Sequence, residues 1–313
     1  MPPDDATQRN RVPAFSSTDI SVLAGLPFLA SLAHLVPERH WPAIGRVLSP
    51  LAVSDLSPDP QAAAALIRQT LGARLPELPG GDILRGMAAE GIVTFLQVLR
   101  SYPRGRWKPE TQAANFERIR AAQDAGRGVI LWVAHAFHGH LAAKIAFHAA
   151  DLKVTHLSHP THGFSSSRFG IRYLNPLQAA VEDLYLAERI LLPLEGQNAA
   201  LSILARRLRA NGIVSITGQR GRARVVEAPF FDGTIQLAPG APALGHMTGA
   251  LVVPVFAFRG DSGAVEVTAE PPIEIPADAP RDAAIAQAVR TYAKLLEGYV
   301  LRYPKQWLGW VQL

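Results

Sequence analysis

The chain has 313 residues, 48% of them hydrophobic, with no cysteine and a formal net charge of +5 at pH 7, enough apolar content for one large core or a core domain with a smaller helical addition. The absence of cysteine excludes disulfides, thiolate chemistry and sulfur-ligated zinc. The basic balance favours anionic partners such as lipid headgroups and acidic carrier proteins, and without a zinc finger or lysine-rich tail nucleic acid is not an expected partner.

In chain order, Met-Pro-Pro-Asp-Asp lacks the basic start of a signal peptide. Residues 20–36 then run uncharged for 17 positions, broken by Pro27 and His34. That is the lower limit for a membrane span, so the run predicts a helix lying in the membrane surface or packed on the domain. Further helices are predicted at 40–48, 59–74 and 83–102, separated by breaks such as Ser57-Pro58-Asp59-Pro60 and Pro79-Gly80-Gly81. Residues 110–125 read as a helix of mixed charge ending at Gly126. Residues 1–126 thus form a helical, membrane-associating region.

From 128 the pattern changes to short buried strands alternating with helices. Strands are predicted at 128–134, 153–158, 189–193, 212–217, 251–258 and 264–269. Helices are predicted at 139–150, 176–186, 197–210, 240–249 and 280–302. Continuous apolar strands separated by helices predict an α/β core over 127–313 with a mostly parallel sheet covered on both faces. Pro254 places the 251–258 strand near an edge or a bulge.

The strand Val129–Ala134 ends abruptly in His135, and His140 follows five positions later. The carboxyl end of a buried strand is where open α/β sheets bind ligands, and an imidazole there can act as a general base near pH 7.

Gly128-Val-Ile-Leu running to His135, followed by a helix, resembles the start of the catalytic core in bacterial lipid A late acyltransferases, the lauroyl and myristoyl transferases. Three further stretches carry the resemblance in order: Asn211-Gly-Ile-Val-Ser-Ile-Thr-Gly-Gln-Arg220 with Glu227-Ala-Pro-Phe-Phe-Asp-Gly233, then Pro239 to Phe256, then Glu297 to Trp307. The resemblance implies an α/β acyltransferase fold of the glycerolipid acyltransferase type, with an N-terminal membrane-associating helix. It implies transfer of a fatty acyl group from an acyl carrier protein or coenzyme A thioester to a hydroxyl (or amine) of a lipid or glycolipid. It places the protein on the cytoplasmic face of the bacterial inner membrane, peripheral or with one N-terminal anchor. No metal or redox cofactor is implied. The chain departs from the family motif of His, four residues, then Asp or Glu, because the acidic position is His140. Relatives usually carry Asp where this chain has Gly218, and often Arg-Pro where it has His159-Pro160.

In the family mechanism the histidine deprotonates an acceptor hydroxyl as it attacks the thioester, and the carboxylate orients and stabilises the imidazole. That assigns His135 as base and His140 as its partner. Losing the charged partner of such a relay costs on the order of 10⁴ in rate. Three outcomes are open: an active His–His dyad, a carboxylate supplied from elsewhere such as Glu195 or Glu227, or a catalytically degenerate protein that binds lipid or acyl carrier on the same fold.

Seven of the ten histidines lie between 135 and 162. A metal hydrolase is the competing reading, but His-x-x-His-x-His lacks the usual acidic partner. A polar rim formed by His138 and His159, the latter binding an anionic group, fits better, and His148 reads as a plain helix residue. The helix after His135 is a source of oxyanion donors, and Gly139 allows close approach of a thioester. Gln219 belongs to the substrate-binding set. Arg220, Arg222 and Arg224 are candidate contacts to phosphate or to an acidic carrier, whereas Arg206, Arg207 and Arg209 read as a solvated helix face. Phe230 and Phe231 either line an acyl channel or pack the core. Trp307 and Trp310 either sit at a membrane interface or cap the core. Ser165, Ser166 and Ser167 lack a nucleophile elbow and read as loop.

Overall fold

The computed structural model describes residues 12–57, 59–102, 107–192, 198–218, 224–276 and 278–311. Helix α1 (Ser17–Leu35) opens on a capping box, in which the Ser16 hydroxyl accepts from the Asp19 N–H and the Asp19 carboxylate accepts from the Ser16 N–H. Both ends of α1 are tied to the body of the protein. At its start Asp19 is fully buried against Ser165 and Ser167, and the N–H groups of Arg168 and Phe169 donate to Pro13 and Ala14. At its end an Arg100 N–H donates to the Ala33 carbonyl at 2.6 Å and the Trp41 indole to Val36 at 3.1 Å.

Helices α2 (Trp41–Leu56) and α3 (Pro60–Leu71) pack on α4 (Gly80–Ser101). The helix expected at 40–48 runs on to Leu56, through Pro50. Pro50 has no N–H for the Arg46 carbonyl, and the Ser49 hydroxyl, 2.9 Å away, donates to it instead.

The remaining elements are β1 (Thr111–Ala114), α5 (Glu117–Asp124), β2 (Val129–Ala134), α6 (Ala142–Ala149), β3 (Val154–Ser158), α7 (Asn175–Asp183), β4 (Glu188–Leu191), α8 (Asn198–Arg209), β5 (Ile213–Gly218), β6 (Val226–Phe230), β7 (Gly233–Leu237), α9 (Gly240–Thr248), β8 (Leu251–Arg259), β9 (Val265–Ala269) and α10 (Arg281–Arg302). Seven strands form one sheet in the order β1-β9-β8-β2-β5-β3-β4. All neighbours are parallel except β8 and β9. The fold is therefore the expected α/β type, a mostly parallel sheet flanked by helices with a helical region before it.

Two expectations change, and one element was not foreseen. Residues 110–125 are not one helix: β1 pairs with β9, the left-handed backbone of Asn115 (φ 60°) ends the strand, and α5 follows. The chain thus enters the sheet ahead of the 126/127 boundary drawn from the sequence. β6 and β7 form a separate hairpin closed at Phe231 and Asp232, with Phe231 at positive φ. Finally, Pro254 lies on β8, inside the sheet, because pairing with β9 begins one residue later at Val255, so no ladder bond to β9 needs its missing N–H.

β2 sits between β8 and β5 and is buried along its whole length. Val129, Leu131 and Val133 pack into one layer with α5 and α6, and Ile130, Trp132 and Ala134 into the other with α8, α9 and α10. After β2 the chain crosses by α6 to β3, on one side. After β5 it crosses by α9 to β8, on the other. The carboxyl ends of β2 and β5 are thus the switch point of the sheet, where α/β folds open a crevice.

The Trp132 ring stacks at 3.9 Å on Tyr292 of α10, and both are buried. A Cβ at Gly218 would stand 2.5 Å from the Trp132 indole nitrogen and 2.9 Å from the Tyr292 hydroxyl. The space a side chain at position 218 would need is filled by these two rings. Gly218→Asp is expected to lower unfolding free energy by about 1–3 kcal/mol from overpacking alone, measured by urea denaturation, and not to restore a family-like carboxylate.

Candidate active site

The apolar run of β2 stops at His135, and the chain turns through a 3-10 turn (Phe137–Gly139) into α6. A Cβ on Gly139 would lie 2.6 Å from the Ala134 carbonyl oxygen, so glycine is required for the turn to close on the strand. Gly139 is buried, which corrects its expected role in admitting a thioester. The N–H groups of Ala136, Phe137 and Gly139 donate to Ala134, Gln306 and Ala136, so they are not oxyanion donors. The C-terminal segment holds the turn in place. The Leu308 N–H donates to the His135 carbonyl at 3.0 Å, and Trp307 forms a β-bridge with Ala136. The Gln306 side chain accepts from the Arg259 N–H (2.7 Å) and donates to the Arg259 carbonyl (2.8 Å). The stretches around His135, Gly218, β8 and the C-terminus, far apart in sequence, therefore meet at one end of the sheet.

His135 and His140 are both half-buried, and their rings meet edge to face with centroids 5.6 Å apart. On the other side of His140 lies His162, with centroids 4.8 Å apart. His162 Nε2 is 2.9 Å from Oε1 of Glu182 on α7, a fully buried carboxylate. Glu182 Oε2 pairs with Lys144 Nζ at 3.1 Å and with Arg189 at 2.8 Å, and Gln178 donates to Oε1 at 2.8 Å. Burial by itself would raise the Glu182 carboxyl; the charges of His162, Lys144 and Arg189 outweigh it and hold the group well below the usual carboxylate range. Burial, then the charges of His162 and His135, push the His140 imidazole well below the ordinary histidine value. His140 therefore stands neutral between the other two rings.

The other expected site residues are dispersed. His138 is buried, with Nε2 3.2 Å from Glu90, which also pairs with Arg259. It joins α4 to the end of β8 and forms no part of an open rim. His159 follows β3, its Nδ1 2.7 Å from the Thr161 hydroxyl in a local turn. Arg224 pairs with Asp282 at the start of α10, 2.8 Å apart and exposed. Gln219, Arg220 and Arg222 lie outside the described residues, as does Glu195. Glu227 is exposed on β6.

Phe230 is buried against Trp307, with centroids 5.3 Å apart, and Phe231 lies under the Arg74 guanidinium. Phe230 also walls a cleft of about 370 Å³ between α3 and the hairpin, whose lining mixes Leu66 and Phe230 with Gln69, Thr70, Asp232, Thr234 and Gln236. Trp307 and Trp310 are buried caps of the core and do not reach a membrane interface. Ser165 and Ser167 are buried and bonded within their loop. Arg207 pairs with Glu188 on the exposed face of α8. Among the described residues no group of three His, Asp or Glu side chains is placed to share a metal ion.

The family profile of the bacterial lipid A biosynthesis acyltransferases matches residues 87–312, which spans the sheet, the His135 turn and the C-terminal clamp. The chain belongs to this family. No curated protein matches it. The family resemblance leads to the expectation of an acid five positions beyond His135, where this chain has His140; the buried carboxylate nearest in this network is Glu182, 42 positions beyond His140. Sequence reasoning missed Glu182 because, within Ala-Ala-Val-Glu-Asp-Leu, it reads as a solvated helix residue. His162 was visible only as a member of the histidine cluster.

The buried histidines carry a pH signature. Burial, then the Lys144 charge, also holds His156 well below its ordinary value. In the unfolded chain both His140 and His156 take up a proton as pH falls through about 6.5; in the folded acyltransferase they resist it. Their stabilising contribution is therefore complete above that pH and lost below it. Unfolding free energy should fall by about 1.4 kcal/mol per pH unit for each histidine on acidification from 6.5. Urea midpoints at pH 7.5 and 5.5 check this, and His156→Gln should remove about half of the slope.

Proposed function

We propose that the protein transfers a fatty acyl group from an acyl carrier protein or coenzyme A thioester to a hydroxyl (or amine) of a lipid or glycolipid, with His135 as general base. The observation that carries this reading is the half-buried His135 imidazole at the switch point of the sheet, in ring contact with His140, in a chain of the lipid A acyltransferase family. His135 takes the proton of the acceptor hydroxyl as its oxygen attacks the thioester carbonyl carbon. The carbon–sulfur bond then breaks, and the imidazolium returns the proton to the departing thiolate. A neutral His140 orients the ring of His135 but adds no charge. His135→Ala is expected to lower acyl transfer by about 10²–10⁴ in a single-turnover assay with dodecanoyl thioesters of acyl carrier protein and of coenzyme A. Undiminished transfer by the variant would remove His135 as base. A wild-type protein that transfers nothing but binds lipid vesicles would instead be a binding protein on the acyltransferase fold.

The same reading places the protein on the cytoplasmic membrane surface. By length and composition α1 qualifies as a membrane span; at 1.5 Å per residue it is about 28 Å long. Both of its ends are held by the folded body, so it lies in the plane of the interface rather than across it. Leu35, Val47 and Leu51 on α1 and α2 are 81%, 76% and 78% exposed and supply the apolar contact. Replacing all three by Asp is expected to release the protein from anionic vesicles in co-sedimentation, with its thermal midpoint changed by less than about 4 °C.

A further inference from the structure

Glu182, a buried carboxylate outside the His135–His140 segment, reaches His140 along two separate routes. Lys144 Nζ, paired with Glu182, donates to the His140 main-chain carbonyl at 2.6 Å. His162, hydrogen-bonded to the other oxygen of Glu182, lays its ring against that of His140. One carboxylate thus grips the backbone of His140 through an ammonium and its ring through an imidazole. We propose that Glu182, acting through His162 and Lys144, is the positioning residue that sets the orientation of His140 and, through it, of His135. This rests on the reading of His135 as the base.

The energetics favour a functional over a purely structural role. A fully buried carboxylate with a buried lysine and a largely buried arginine is expensive to desolvate, and such a cluster is often neutral or worse for stability compared with apolar packing. Groups held in this way concentrate at functional sites, and here the cluster lies against the one strand end that carries a reactive imidazole. A second carboxylate at this end of the sheet, the partly buried Glu90, is held by Arg259 and His138, and its histidine is sealed in the interior. Of these two carboxylates, Glu182 is the one that connects with the half-buried pair His135 and His140. His140 has nothing to lose by being neutral in this arrangement, because its task is to present one fixed tautomer to His135.

Two measurements on the full-length protein test the assignment. The first is the ¹⁵N imidazole spectrum, which reads the tautomer of His140 without any substrate. Glu182→Gln is expected to turn a single His140 tautomer into a mixture. His162→Phe keeps a ring against His140 and leaves Glu182 with Lys144 and Arg189, so it serves if the Gln variant does not fold, and the same mixture is expected. An unchanged His140 tautomer in a folded variant of either kind would overturn the inference. The second is acyl transfer from dodecanoyl-coenzyme A to an inner-membrane lipid extract. His162→Phe is expected to lower kcat by about 100-fold, the scale of a misplaced catalytic group, with KM within about threefold. In a His140→Asp background, where the acid is back in the motif, the same change should cost less than about threefold. An equal loss in both backgrounds would mean a structural role only and would overturn the inference. If wild type shows no transfer while the His140 tautomer still depends on Glu182, the positioning stands and the acyl-transfer reading fails.

Discussion

β2 is covered on both faces and flanked by a strand on either side, so a polar side chain can leave the core along it only at its carboxyl end. Ile130, Trp132 and Ala134 belong to one layer, Val129, Leu131 and Val133 to the other. His135 is the first residue beyond that double burial. Every other feature of the site follows from keeping this exit ordered. The Gly139 turn folds tightly over Ala134, and the C-terminal segment from Gln306 to Leu308 pairs with the turn, locking it to the end of β8. The parallel topology completes the arrangement, since the crossovers after β2 and β5 depart on opposite sides and leave the space between them open.

Around that exit the charges are distributed unequally. Glu182 sits in the interior with two cations and a hydrogen-bonded imidazole, which keeps it ionised although fully buried. His140 has the opposite circumstance: burial and neighbouring positive charge keep it neutral. A neutral ring beside His135 can fix geometry, while the negative charge of Glu182 reaches His135 only across two intervening rings. The histidine–carboxylate network is drawn from three elements, with the turn before α6 supplying His140, the loop after β3 supplying His162 and α7 supplying Glu182. At Gly218 packing leaves no room for a side chain. The Trp132–Tyr292 stack occupies the volume that any side chain there would need.

Helix α1 obeys a different constraint. An uncharged run of 17 residues is equally suited to crossing a bilayer and to lying on one. The choice rests on where the ends of α1 are held, and both Asp19 at the start and the Ala33 carbonyl at the end are bound to the folded body.

The chain itself determined the local alternation of buried strands and helices, and with it the α/β class, because strands covered on both faces must be continuously apolar and so stand out from amphipathic helices. It also determined the position of His135, since a polar residue ending such a run has only one place to go. Short or irregular elements were less legible. β1, with four residues, gains its stability from pairing with β9, some 150 positions away, and the hairpin closes through a phenylalanine at positive φ, which no turn signal announces. The partner of His140 was beyond sequence reasoning altogether. Glu182 becomes exceptional only when α7 packs beside α6 and β4 and encloses it with Lys144 and Arg189. Which carboxylate is solvated and which is buried is settled by long-range packing, and that packing alone assembles the histidines and their acid into one site.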